Sequence, residues 1–482
     1  MIRRIFAAVA AFSFTFPTPA HSEASEAEYR RHVEILASEN FQGRRPGTIG
    51  EAVAAHYITA QFAEAGLRPG WKGSFYQPVE LIERRPIQAT ARWAGGGRSG
   101  EWSEDDLLLT GSAAHDVLTD EPVVYAGYGI EEDYGALRSV IEGAIVVIRA
   151  GAPEGVPAPP RASSRIEAMA DAGAKAVIVI AESDEDWEQY QRYFSAGSTT
   201  LEGRRHAVID GYASPDAGRT LLRAGGYERD VPDAPVALDL TMSLDVATEV
   251  QPYTGYNVVG RLAGSDGGEE AVVFMAHYDH FGVCRPGEED AICNGAVDNA
   301  SGTAALIEVA DALGEGPRPA RDIYFVATTA EELGLLGAEA WADDPSLPLD
   351  RLVAALNLDT IAIGPRGAPV GIVGRGMTAL DPIVDGVARQ LGREIYDSED
   401  PNAFVRRQDG WVLLERGVPS IMAGGSFTDY ERLNAFLQGP YHGPDDNFDD
   451  TLELGGAYED VLLHIALGRA LADPARYSPE PR

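Results

Sequence analysis

The sequence predicts an α/β fold, a mainly parallel sheet flanked by helices with a β-rich α+β unit inserted into it, on three observations. The runs Ala271-Val272-Val273-Phe274-Met275-Ala276 and Ile323-Tyr324-Phe325-Val326-Ala327 are continuously apolar rather than alternating, as in strands covered on both faces. Leu306, Val309, Ala310 and Leu313 recur at helical spacing between them, and Gly314 and Gly316 end that helix, so the three elements read as a β-α-β crossover. Residues 112–245 differ in texture, with β-rich runs at 122–130, 144–149 and 176–180 around a helix at 163–172.

In chain order, Arg3 and Arg4 followed by the apolar stretch 5–16 and the small residues Ala20, Ser22 and Ala24 read as an export signal over 1–22. That stretch is shorter than the roughly 20 residues that span a bilayer, so an exported chain, periplasmic or extracellular, is expected without stable membrane insertion. Tyr29, Val33 and Leu36 share one helical face and Ile58, Phe62 and Ala65 another, the second helix stopping at Gly66. The polar loop Gly43-Arg44-Arg45-Pro46-Gly47-Thr48 lies between them. The expected division is 1–22 signal, 23–111 first part of the main domain, 112–245 insert, and 246–482 second part. The Pro-rich tail from Pro474 is expected to fray.

Of 482 residues, 45% are apolar, which suits a globular chain of two or three domains. The formal charge of -36 argues against a nucleic-acid partner, whose phosphates are bound by Lys and Arg clusters. Such acidity is read first as solubility; it would also draw in cations and peptide amino ends. Cys284 and Cys293 are the only cysteines, and in an exported chain a pair this close on one loop is expected to form a disulfide.

Chemistry-bearing residues gather where strands end. His277 follows the run 271–276, Glu331 and Glu332 follow 323–327, and Asp359 ends 352–358. In open α/β sheets ligands bind beyond the strand carboxyl ends, so these residues converge on one crevice. Asp298 joins from the loop that opens the helix near Ser301, and His442 from Gly439-Pro440-Tyr441-His442-Gly443-Pro444. Imidazole and carboxylate are zinc ligands. His277, Asp298, Glu332, Asp359 and His442 are too many for one catalytic ion but suit two ions about 3.5 to 4 Å apart, bridged by a carboxylate and a water of lowered pKa. Glu331 is left to act as general base, and Asp279 is placed to accept the second N–H of His277. Each residue has a plainer reading alone: a strand-end His as a core hydrogen-bonding group, Glu331-Glu332 as an acidic helix start. His280 is placed outside the ligand set.

These segments resemble the M28 family of zinc peptidases: Ala276-His277-Tyr278-Asp279-His280, Asn294-Gly295-Ala296-Val297-Asp298-Asn299-Ala300-Ser301-Gly302, Glu331-Glu332, Asn357-Leu358-Asp359 and Tyr441-His442. The resemblance implies one zinc on His277 and Asp359, a second on Glu332 and His442, Asp298 bridging, Glu331 as base, and a cis Asp298–Asn299 bond. It extends to Leu36-Ala37-Ser38 through Gly50 and to Tyr256-Asn257-Val258-Val259-Gly260, and it implies that 112–245 is a protease-associated domain covering the cleft. Two departures bear on the substrate pocket: Thr360-Ile361 where relatives often carry Met, and Gln408-Asp409-Gly410 where many carry Ser-Asp-His.

The resulting expectation is a dinuclear zinc aminopeptidase acting on peptides. The alternatives are a carboxypeptidase or dipeptidase, for which Arg375, Arg406 and Arg407 are available as carboxylate clamps, a single-zinc acyltransferase of the glutaminyl cyclase type, and a non-catalytic ectodomain.

Overall fold

The computed structural model describes residues 24–130, 134–153, 162–194, 197–204, 207–227 and 235–479. The expected export signal lies outside the described residues.

The main body is built on a sheet whose centre is parallel. Ala271–His277 pairs in parallel with Asp322–Thr328 on one side and Leu352–Asn357 on the other, and Leu352–Asn357 pairs in parallel with Ser420–Gly424. Antiparallel strands close both flanks: Gly371–Val373 on Ser420–Gly424, and the end of Val236–Leu262 on Asp322–Thr328. Alternate residues of each central strand enter different cores. Val272, Phe274, Ala276, Phe325 and Leu356 pack under the helices Glu26–Leu36, Ile49–Glu64, Ser301–Gly314 and Gly455–Leu471. Val273, Met275, Tyr324 and Val326 pack with Trp341 and Leu413 of the helices on the opposite face. Burial on both faces is why these runs are continuously apolar.

Two long antiparallel strands, Tyr76–Gly95 and Val236–Leu262, run from this body into a second one, paired from Val258↔Tyr76 to Thr241↔Ala94 with one register shift between Ala247 and Thr248. There His115–Tyr125, Ile145–Arg149, Ala176–Ile180 and Ile209–Ala213 pair in parallel, with Leu107–Gly111 antiparallel at the edge. That edge strand precedes residue 112, so this part of the continuous sheet draws on residues from both sides of it. Ser198–Leu201 returns to pair with the long strand at Leu81 to Arg84.

Two expectations change. The strand expected at 122–130 is His115–Tyr125, because Gly127 and Gly129 take left-handed conformations, φ 57 and 65°, and turn the chain. The tail does not fray before Tyr477: its ring is buried, its hydroxyl donates to the Val353 carbonyl at 3.4 Å, and its own carbonyl accepts from Arg321 at 2.8 Å. Composition reported the prolines; one buried aromatic anchors the segment. The disulfide Cys284–Cys293 is formed, within a short hairpin of Gly282–Val283 and Ile292–Cys293.

Candidate metal centre

Strand order carries the chemistry to one edge. His277 is the last residue of its strand, Asp359 lies two residues beyond Leu352–Asn357, and Glu331 and Glu332 lie just beyond Asp322–Thr328. Asp298 sits in the turn Ala296–Ala300 that enters the helix Ser301–Gly314, and its peptide bond to Asn299 is cis. His442 arrives from the loop after Tyr430–Gln438, with φ 58°.

The two oxygens of Asp298 face different histidines. His277 Nε2 is 3.2 Å from Asp298 Oδ1 and 3.5 Å from Asp359 Oδ1. His442 Nε2 is 3.4 Å from Asp298 Oδ2 and 3.0 Å from Glu332 Oε2. The structure therefore gathers all five expected ligands into two groups that share Asp298, with Glu331 and Asp359 in the floor of the adjoining cleft.

Two contacts differ from the sequence reading. His280 stands against the cluster, its Nδ1 2.6 Å from Glu332 Oε1, so that His280, Asp298 and Glu332 form a second ligand-capable group beside His277, Asp298 and Asp359. No strand or helix periodicity places His280; the turn after His277 does. The Asp279 carboxylate does not hold the His277 ring: its Oδ1 is 3.8 Å from Nδ1, which instead faces the Asp279 main-chain carbonyl at 3.3 Å. Asp279 Oδ1 accepts the N–H of Glu331 at 3.1 Å, so it orients the segment bearing the expected base.

The electrostatics are those of a site short of positive charge. Burial works against protonated His277, yet Glu331, Asp298 and Asp359 raise its pKa well above the usual value. Burial opposes ionised Asp298, and the neighbouring imidazoles of His277 and His442 overcome it, holding the group well below the carboxylate range. Burial pushes the Glu331 carboxyl well up, and Glu332, Asp409 and Asp359 add to the shift against His277. Buried carboxylates at this density require cations or protons to neutralise them. The donor set fits a divalent metal of zinc type. His442 Nε2 supplies the test: it is buried and makes no hydrogen bond among the described residues, although two carboxylates lie within 3.4 Å.

Three supporting residues were not among the expected site residues: Asp446, which accepts main-chain N–H groups of the Asp298 turn, and Arg44 of the N-terminal polar loop and Glu51, which reach the ligand loops. The cleft beside the cluster opens to solvent. Phe404, Met422, Phe427, Leu433 and Leu437 make its apolar wall, and Arg407, Gln408 and Tyr441 complete the lining. Thr360, at one departure from the family pattern, donates its hydroxyl to Asp359 Oδ1 at 2.8 Å. At the other, Gln408 Oε1 accepts the Gly410 N–H at 2.7 Å, while Asp409 accepts the Thr328 hydroxyl.

Against known proteins, residues 257–464, the segment that supplies every one of these ligands, match peptidase family M28. This segment is similar to peptidase family M28. The chain is 25% identical over 443 residues to the probable glutamate carboxypeptidase LAMP1 of Arabidopsis thaliana, covering 80% of itself and 61% of that protein. It is 26% identical over 208 residues to aminopeptidase NAALADL1 of Mus musculus, covering 41% of itself and 25% of that protein. The chain thus spans less than two thirds of the length of these curated relatives. Among solved structures, the aminopeptidase from Aneurinibacillus sp. strain AM-1 shares the fold, with a TM-score of 0.54 at 18% identity over 95% of this chain and 97% of that one.

Proposed function

We propose that this chain is a metal-dependent exopeptidase, an aminopeptidase, that holds two zinc ions and uses Glu331 as general base. The observation that carries the reading is the sharing of Asp298 between His277 on one side and His442 on the other. His277 and Asp359 would hold one ion, Glu332 and His442 the other, with Asp298 common to both; His280 orients Glu332 through its contact at 2.6 Å. When bound, the ions supply Lewis acidity toward the scissile carbonyl and the attacking water. Glu331, with its raised pKa and its place in the cleft floor, takes the proton of that water and delivers it to the leaving amine. Asp279 fixes the Glu331 main chain, and the apolar wall receives a side chain of the substrate.

A second reading is favoured by one residue. Arg407 lines the cleft and donates to the Tyr441 hydroxyl at 3.3 Å, leaving it positioned for a substrate carboxylate, as a carboxypeptidase or dipeptidase requires. Arg375 is instead paired with Asp385 at 3.0 Å, and Arg406 lies over the Trp411 ring. The second body is proposed to be a protease-associated domain that shapes the approach to the cleft. Export is proposed from the N-terminal pattern and the disulfide, which suits an oxidising compartment. Among the described residues no helix is long and apolar enough to cross a membrane.

The test is metal content of purified protein by mass spectrometry, paired with hydrolysis of leucine p-nitroanilide before and after chelation. About two zincs per chain with chelator-sensitive hydrolysis is expected. Metal without hydrolysis would shift the reading to peptides with a free C-terminus or to cyclisation, and neither metal nor hydrolysis would favour a non-catalytic ectodomain.

A further inference from the structure

The loop Gly43-Arg44-Arg45-Pro46-Gly47-Thr48 takes no part in the chemistry above, yet it buries a charge beneath it. Arg44 is 1% exposed. Its guanidinium donates to four main-chain carbonyls: Tyr278 at 2.6 Å, Leu36 at 2.6 Å, Asn294 at 2.6 Å and Gly295 at 2.9 Å. Tyr278 lies between His277 and Asp279, and Asn294-Gly295 leads into the turn that bears Asp298. One planar fork therefore spans the two loops that bring opposite sides of the cluster together.

The backbone is shaped to deliver that fork. Gln42, Gly43 and Arg44 are consecutive left-handed residues, φ 49, 63 and 52°, a conformation that non-glycine residues keep only where their surroundings over-determine it. Gly43 sits too close for any side chain, since a Cβ would lie 2.3 Å from the Cys293 carbonyl oxygen. Further along, buried Glu51 accepts the Thr329 hydroxyl at 2.6 Å and the Tyr256 N–H at 3.0 Å, and it lies 3.3 Å from the Tyr278 hydroxyl, whose shorter bond, 2.6 Å, goes to the Tyr256 carbonyl. Tyr278 is thus held at its carbonyl by Arg44 and at its phenol by the Tyr256 carbonyl, with Glu51 bracing Tyr256 and Thr329 beside it, and Thr329 stands two residues before Glu331.

We propose that Arg44 is a positioning residue of the metal centre, setting the spacing between the His277 loop and the Asp298 turn, with Glu51 bracing the same loop through Tyr256 and Thr329. The inference rests on the metal-centre reading. Lysine retains the charge but lacks the fork, so it cannot donate to two loops in fixed directions.

The test is zinc affinity, measured on the folded full-length protein by competition with a chromophoric chelator, alongside thermal unfolding with zinc and with chelator. Arg44→Lys is expected to lose about 10- to 100-fold in zinc affinity, the usual consequence of removing a group that orients ligands, and to show a smaller zinc-induced rise in Tm. Glu51→Gln tests the same clamp and is expected to weaken zinc binding even if Arg44→Lys does not fold. Arg45→Met, next in the loop and facing Glu83 at 2.7 Å, is expected to keep wild-type affinity. Folded Arg44→Lys and Glu51→Gln proteins with wild-type zinc affinity, or a Tm loss equal with and without zinc, would overturn the inference while leaving the metal centre standing. A wild-type protein that binds no divalent cation would overturn the metal-centre reading itself.

Discussion

Asp446 grips the turn that carries Asp298: its Oδ1 accepts the Val297 N–H at 2.8 Å and its Oδ2 the Asp298 N–H at 3.0 Å. Both oxygens are spent on main chain, and burial raises the Asp446 pKa to about 6. In Asp446→Asn one acceptor becomes a donor facing an N–H, so the turn must shift. Zinc affinity is expected to fall roughly 10- to 100-fold, read by chelator competition; unchanged affinity would mean that the turn holds its shape without Asp446.

Glu331→Gln separates base from ligand. Metal content should stay near that of wild type while kcat falls about 10²- to 10⁴-fold, the range for a general base. Asp298→Ala should instead lose metal, because both histidine groups depend on it. Full activity in Glu331→Gln would remove Glu331 from the mechanism.

The cleft wall and Arg407 make opposite demands that substrates can separate. The apolar wall predicts faster cleavage of leucine p-nitroanilide than of the aspartate compound. If Arg407 reads a carboxylate, Leu-Leu should show a lower KM than its C-terminal amide, and Arg407→Gln should bring that ratio toward one. A ratio near one already in wild type would restrict the reading to an aminopeptidase indifferent to the far end of its substrate.

His464 predicts a component of acid sensitivity away from the metal. It is fully buried and bonded through Nδ1 to the Asp460 carbonyl at 2.8 Å, and burial lowers its pKa from 6.5 to about 4. The unfolded chain therefore takes up this proton below about pH 6.5 while the folded chain does not until about pH 4. The stability is present above 6.5 and is lost as pH falls through that window, at up to about 1.4 kcal/mol per pH unit. Asp460, raised to about 6 by burial, acts in the opposite sense in both proteins and cancels in a difference. Urea unfolding in chelator from pH 4 to 8 should give His464→Phe a flatter acid limb than wild type; parallel curves would refute the assignment.

Strand-end residues were the most legible part of the site. His277, Glu331, Glu332 and Asp359 each follow an apolar run in the chain, and a run covered on both faces can only present polar side chains where it stops. Asp298 and His442 were legible through the resemblance to the M28 family together with their turn-forming neighbours. His280 and the true partner of Asp279 were not, because both depend on how one turn folds back after His277.

What the sequence determined by itself was therefore the parallel core, the crossover helix, the disulfide pair and the residue types that meet at the sheet edge, all of which follow from local periodicity and chain order. Only the tertiary structure decided that Asp298 divides its oxygens between two histidines, that Asp446 and Arg44 hold the ligand loops, and that Tyr477 anchors the tail. Those relations join residues up to 251 positions apart, as between Arg44 and Gly295. Hydrogen bonds to main-chain carbonyls and N–H groups leave no pattern in side-chain identity, so no reading of the sequence could have assigned their partners.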